Sequence, residues 1–199
     1  MRYEKGRKDA SRQRIMDVAT ERFRSDGIAA SGLAGIMSAA GLTNGAFYPH
    51  FPSKAALVRE TLAAALKDQS NQTRDLLEAG GVSLGIDAYL SPEHRDNPGT
   101  GCASAALLPE IAREPAETRQ VYTEHVLNLI RLVAAELLGD VGERENAAFG
   151  IFATLIGALE LARAVDGAEL SDRILAAGAA AAKELLAPRQ NQPAEGKSS

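Results

Sequence analysis

Apolar residues recur three and four positions apart along almost the whole chain, and no stretch reads as a strand. A chain patterned this way can bury its apolar faces only by packing helix on helix, so the expected class is all-α. Ile15, Val18, Ala19 and Phe23 mark a first helix over about 9–25, stopped by Asp26-Gly27. Ser31 is placed to cap a second, short helix carrying Leu33, Ile36, Met37 and Ala40, which Gly41 ends. Thr43 opens a third, very short one, which must finish before Phe51-Pro52. Ser53 caps a long fourth helix from Lys54 to Leu77, closed by Gly80-Gly81, and a weaker helix follows over Val82–Leu90. Residues 91–101 carry no apolar period and read as a loop. Beyond it the pattern predicts helices over Cys102–Arg113, irregular at Pro109, then from Pro115 to about Leu138, Glu143–Val165 and Leu170–Leu186. The polar end, 188–199, reads as a disordered tail.

Composition removes several function classes. Of 199 residues 45% are hydrophobic and 24% charged, so disorder throughout is excluded. A single cysteine rules out an intrachain disulfide, and His50, His94 and His125 lack ligand-like spacing, so no metal or other cofactor is expected. No apolar h-region follows the first residues, and the longest apolar run, Ala147–Leu159, is shorter than a bilayer span, so the expected place is the cytoplasm with no membrane partner. No nucleophile–base pair, carboxylate pair or phosphate-binding glycine loop can be assembled, which argues against an enzyme. The net charge of −4 conceals an asymmetry: residues 1–60 hold ten Lys/Arg against six Asp/Glu, and the remainder twelve against twenty. Arg2, Lys5, Arg7, Lys8, Arg12 and Arg14 form a basic arm that suits phosphates. A solvated terminus would look the same from charge alone.

Two short helices joined by Gly41-Leu42 behind a longer one follow the helix-turn-helix plan, whose second helix enters the major groove. Thr43, Asn44 and Gly45 are small enough for close approach to DNA, and the first two can hydrogen-bond bases or phosphate. Phe47 and Phe51 should be core, leaving Tyr48 and His50 outward to donate to phosphates. Ser31, Gly32 and Lys54 sit at helix starts, where backbone N–H groups attract anions. Helix pairs of this kind also occur in all-α proteins that never touch DNA, with the tyrosine packed and the histidine a plain surface residue.

The run Arg14-Ile15-Met16-Asp17-Val18-Ala19, then Phe23, Gly27 and Ile36, then Ala39 to Lys54 and Leu57, resembles the N-terminal domain of the TetR family of bacterial transcriptional regulators. Its most specific part is Gly45-x-x-Tyr48-x-His50-Phe51-x-x-Lys54. The resemblance covers about the first 60 residues. It implies a DNA-binding domain over 1–53 and a helical domain over 54–187 that dimerises and binds a small effector. It also implies a palindromic operator, usually repressed. Asn44 stands where the family commonly has lysine, Pro49 should end the recognition helix early, and Ala55 replaces a common acidic residue.

In the C-terminal part, the helix over 143–165 is apolar almost all round, and the last helix offers Ala176 to Ala182, with Gly178 among them. Such helices need cover on every side, which a second chain would supply through the last two helices, or a monomer core would. A mostly apolar effector cavity is expected near Tyr122, His125, Phe149 and Phe152. His125 suits either a ligand or an ordinary core hydrogen bond. Glu160 and Arg163 read as a surface pair. Cys102, after Gly99-Thr100-Gly101, is similar to a Gly-Cys motif in a TetR subgroup that includes electrophile- or oxidant-sensing repressors. The same pattern fits an inert core thiol. An all-α ligand-binding dimer without DNA contact is the competing reading of the whole chain.

Overall fold

The fold comes from a computed structural model that describes residues 2–186, with side chains from residue 6 onward. The expected tail over 188–199 lies outside the described residues. Eight helices occur among those described: α1 (Arg2–Asp26), α2 (Leu33–Ala39), α3 (Lys54–Tyr89), α4 (Pro92–Asp96), α5 (Ala103–Ile111), α6 (Ala116–Ala135), α7 (Val141–Ala164) and α8 (Ala168–Glu184). A 3-10 turn, Asn44–Ala46, lies between α2 and α3. No described residue is in a strand, as the periodicity requires.

Several boundaries differ from the sequence reading, each for a local reason. Helix α1 begins at Arg2, so the basic arm is its first turns, uninterrupted by proline. The N-cap of α2 is Gly32 and not Ser31. Ser31 is 1% exposed. Its hydroxyl donates toward the carbonyls of Gly27 (2.7 Å) and Arg22 (3.2 Å), fastening α1 to α2. The expected third helix is only the 3-10 turn and one α-turn, in which Phe51 N–H bonds the Phe47 carbonyl at 3.1 Å. Pro49 has no N–H to continue an α-helix, and its ring would clash with the Gly45 carbonyl. Gly80-Gly81 does not end a helix at a loop. It kinks α3, with Gly81 at φ 69°, a conformation glycine adopts without strain. Within the expected loop, Pro92–Asp96 is helical: Ser91 accepts from His94 N–H, and proline occupies the first turn.

Two apolar cores share the long α3. The first joins Ile15, Ala19 and Phe23 of α1, Ile36 and Met37 of α2, and the stacked Phe47 and Phe51, whose ring centroids lie 5.7 Å apart. Burying each phenylalanine contributes about 1.5–3 kcal/mol. This core does not stop at residue 53, because Leu57, Val58, Leu62 and Leu66 of α3 and Ala103, Leu107 and Ile111 of α5 complete it. Helix α5 is therefore packed into the N-terminal unit. The second core joins Val82, Ile86 and Leu90 to α6, α7 and α8. Helix α7 is long and apolar enough to cross a membrane by length and composition. It packs instead against α6 and α8 through Ala148, Ile151, Leu155, Leu159 and Ala162. At its crossing with α8, a Cβ on Gly178 would sit 2.3 Å from the Ala158 Cβ, so the two backbones approach too closely for alanine.

Candidate nucleic-acid interface and effector cavity

The turn between α2 and α3 presents Thr43, Asn44, Gly45 and Tyr48 together on the outside. Thr43 stands at the N-cap of the 3-10 turn, yet its side chain makes no cap bond. Gly45 faces open space, with no atom within 4 Å of where a Cβ would be. Tyr48 is 69% exposed, an unusual state for a large side chain, while its edge contact with Phe47 at 5.4 Å holds the ring in place. The anchoring is internal and the polar tip is external, as a surface that meets polar groups requires. Arg7, Lys8 and Arg14 of α1 are exposed. Arg12 is not: it pairs with Glu60 and lies 4.7 Å over the Phe51 ring. His50 is half-buried, and its proton affinity is lowered by that burial and then by Lys8 and Arg12. Its neutral ring can still donate one hydrogen bond.

Two of the expected contact residues have structural duties. Ser31 is internal, as described above. Lys54 donates from Nζ to the Ile28 carbonyl at 2.5 Å, tying the start of α3 to the α1–α2 loop. Ser53 caps α3 by accepting from Ala56 N–H, as expected, and leaves the N–H groups of Lys54 and Ala55 outside the helical ladder. Gly32 is exposed at the start of α2.

A cavity of about 590 Å³ lies between α1 and the C-terminal helices. Its apolar floor includes Val82, Ile86, Ile130, Ile151, Phe152 and Leu155, and its far wall is Met16, Thr20 and Arg24 of α1. The structure brings two expected effector residues to it, Cys102 and Phe152, and places the other three elsewhere. Phe149 is 43% exposed on the outer face of α7. Tyr122 packs against the N-terminal core beside Ser104. His125 is buried between α3 and α6, where its Nδ1 lies 3.3 Å from Ser70 Oγ. Burial lowers its proton affinity.

The sequence reading missed the polar end of this cavity. Gln69 donates from Nε2 to Cys102 Sγ at 3.1 Å. Cys102 N–H donates to His94 Nε2 at 2.9 Å, so His94 carries its proton on Nδ1, which reaches the Tyr89 carbonyl at 2.7 Å. Burial lowers His94 further, in keeping with this neutral form. Arg163, expected as a surface partner of Glu160, does bond it at 2.9 Å but also donates to the carbonyls of His94 and Arg95, fixing α4.

The N-terminal unit is fastened to this region at two points. Arg24 Nη1 donates to the Gly101 carbonyl at 2.9 Å. Both oxygens of Glu110 accept from the α1–α2 loop, from Ile28 N–H at 2.8 Å and Ala29 N–H at 2.9 Å. Helix α5 thus starts at the cavity with Cys102 and ends at a carboxylate held by the helix-turn-helix unit. Such a bond between elements 81 and 82 residues apart leaves no trace in local pattern.

Residues 15–61 match the family model described as bacterial regulatory proteins, tetR family. The HTH-type transcriptional repressor KstR2 of Rhodococcus jostii (strain RHA1) is 33% identical over 116 residues, 58% of this chain and 57% of that repressor. The chain therefore matches somewhat more than half the length of this curated relative. Two solved structures share the fold across nearly their whole lengths. The reduced form of NemR from E. coli has a TM-score of 0.74 at 19% identity, covering 90% of this chain and 99% of that one. A TetR-family transcriptional regulator from Agrobacterium tumefaciens has a TM-score of 0.73 at 20% identity, covering 87% and 97%. Residues 15–61 are thus a helix-turn-helix unit of the tetR type, and the chain as a whole shares the all-helical fold of these regulators.

Proposed function

We propose that this chain is a cytoplasmic, homodimeric transcriptional repressor that reads a palindromic operator and leaves it when a small, mostly apolar ligand fills the cavity. The observation that carries the DNA reading is the exposed Thr43–Asn44–Gly45–Tyr48 surface on a rigid aromatic base. Thr43 and Asn44 reach bases or phosphates, Gly45 admits the DNA backbone, and Tyr48 and His50 donate to phosphates. Gly32 and the first amides of α3 add neutral donors, with exposed Arg7, Lys8 and Arg14 supplying charge. Ser31 and the Lys54 ammonium hold the unit in shape behind this surface. No metal or cofactor is part of this role.

The dimer is supported by an outward row on α7. Phe149, Ala153, Gly157 and Leu161 follow at intervals of four, and all are exposed in the single chain. Leu161 is 58% exposed and Gly157 has open space around it. Leu170, Ala177 and Ala181 of α8 are also exposed. A second copy related by two-fold symmetry would cover these small and apolar residues and bring two reading turns to two half-sites.

Coupling follows from α5. A ligand that moves its Cys102 end also moves Glu110, which lies about 12 Å away at the other end of the same helix. The loop behind α2 then shifts, and the two reading turns lose the half-site spacing. The ligand acts only through its different affinity for the two arrangements. Selection from a random duplex pool tests this function: an enriched inverted repeat is expected. Absence of any enriched sequence would reject it in favour of an all-α ligand-binding dimer.

A further inference from the structure

The cavity ends in polar atoms that lack partners. Among the described residues, Gln69 Oε1, Tyr89 OH and Arg24 Nε are shielded from solvent and make no hydrogen bond. Leaving such a group unpaired costs about 1–3 kcal/mol, so three at one place require an explanation. All three border Cys102. Gln69 bonds its sulfur, Arg24 bonds the carbonyl just before it, and the Tyr89 phenol lies beside it. All three residues line the cavity.

Their hydrogen-bonding capacities define a complement. Gln69 Oε1 can only accept and Arg24 Nε can only donate. The Tyr89 phenol is raised well above its ordinary range, first by burial and then by Cys102, so it stays protonated and donates at neutral pH. A ligand group that pairs with Gln69 Oε1 and Arg24 Nε must both donate and accept, and with Tyr89 donating as well it accepts twice and donates once. A hydroxyl does this. An ether or ketone oxygen leaves Gln69 unpaired. A carboxylate turns its charge against Gln69 Oε1, with Glu21 and Asp68 already beside Arg24. An ammonium meets Arg24 and the Tyr89 proton.

We propose that the cavity is a site for an uncharged alcohol, whose apolar body lies on the α3, α6 and α7 floor and whose hydroxyl is held by Gln69, Tyr89 and Arg24. Because Arg24 belongs to α1 and also binds Gly101, this hydroxyl touches the helix-turn-helix unit and the start of α5 at once. The inference rests on the effector reading above and deepens it.

Four eight-carbon probes of matched size test it by titration calorimetry on the free chain: 1-octanol, its isomer methyl heptyl ether, octanoate and octylammonium. Octanol is expected to bind at least about tenfold more tightly than each of the others, because a site built around a hydroxyl rejects analogues that leave its polar groups unpaired. Gln69→Leu and Tyr89→Phe should bring octanol down to the level of the ether, with the ether itself little changed. Thermal unfolding of each variant identifies any that fails to fold, and the other then carries the comparison. Equal binding of octanol and ether, tighter binding of either ion, no binding of any probe, or an octanol preference that survives both folded variants overturns the proposal. None of these results bears on operator selection, which uses no ligand, so failure here is distinguishable from failure of the regulator reading.

Discussion

Replacing Glu110 with alanine removes both carboxylate bonds to the α1–α2 loop. A hydrogen bond to a charged group contributes about 1.5–3 kcal/mol where it is shielded. The bond from Ile28 N–H is partly buried and merits that range, whereas the Ala29 bond is exposed and water replaces most of it. The loss is therefore about 2–4 kcal/mol. For a chain of this size each kcal/mol corresponds to about 2–4 °C, so the melting temperature should fall by roughly 4–16 °C. Glu110→Gln keeps one acceptor oxygen and should lose about half as much. Two assays read the effect: thermal unfolding, and hydrogen exchange at the Ile28 and Ala29 amides, which should lose protection locally before the rest of the N-terminal unit. Gly27 sets the approach, since a Cβ there would lie 3.1 Å from Glu110 Oε2 on a backbone at φ 87°. If Glu110→Ala melts with the native chain and its two amides exchange no faster, the carboxylate does not hold the loop, and the coupling through α5 fails with it.

Three further outcomes follow from the packing and the charges. Gly178→Ala should destabilise the chain by about 1–3 kcal/mol in denaturant titration, because its Cβ would collide with that of Ala158. Leu161→Glu, at a position exposed in the single chain, should leave folding intact and shift sedimentation toward monomer. The proton affinities of His50, His94 and His125 are all lowered, chiefly by burial, from the ordinary histidine value of 6.5. The unfolded chain thus binds protons first on acidification, so stability is fully present above about pH 6.5 and declines below it. His94→Gln should flatten that decline in unfolding measured from pH 7.5 to about 5.5, and an unchanged slope would show that His94 contributes nothing to it.

The N-terminal unit was legible because its elements carry their own signals: apolar period in α1 and α2, glycine at 27 and 41, and Ser53 as a cap. Phe47 and Phe51 are core and Tyr48 is outward, as their spacing implied. Ser31 was misread because a serine before a helix looks like a cap whether its hydroxyl faces the helix or the preceding one. Helix α4 has a cap and a first-turn proline but no apolar face; it is held from outside by Arg163 and by the Arg95–Asp172 pair. Phe149 and Phe152 could not be told apart, because a helix apolar all round has no polar face to fix its rotation. The cavity was least legible. Thr20 and Arg24 meet Gln69, Tyr89 and Cys102 only through tertiary packing, so no window of sequence contains the site.

On the regulator reading, this chain holds DNA through the Thr43–Tyr48 turn. Equilibrium binding to the selected duplex, measured for the native chain and Tyr48→Ala between about 50 and 200 mM salt, tests it most directly. The native affinity should fall linearly in log–log form, by about 10³-fold or more for a dimer making six or more phosphate contacts. Tyr48→Ala, exposed and outside the core, should bind about ten- to a hundredfold more weakly with an unchanged melting temperature. An affinity indifferent to salt, or a Tyr48→Ala chain that binds as the native one does, would show that this turn is not the DNA-contacting surface.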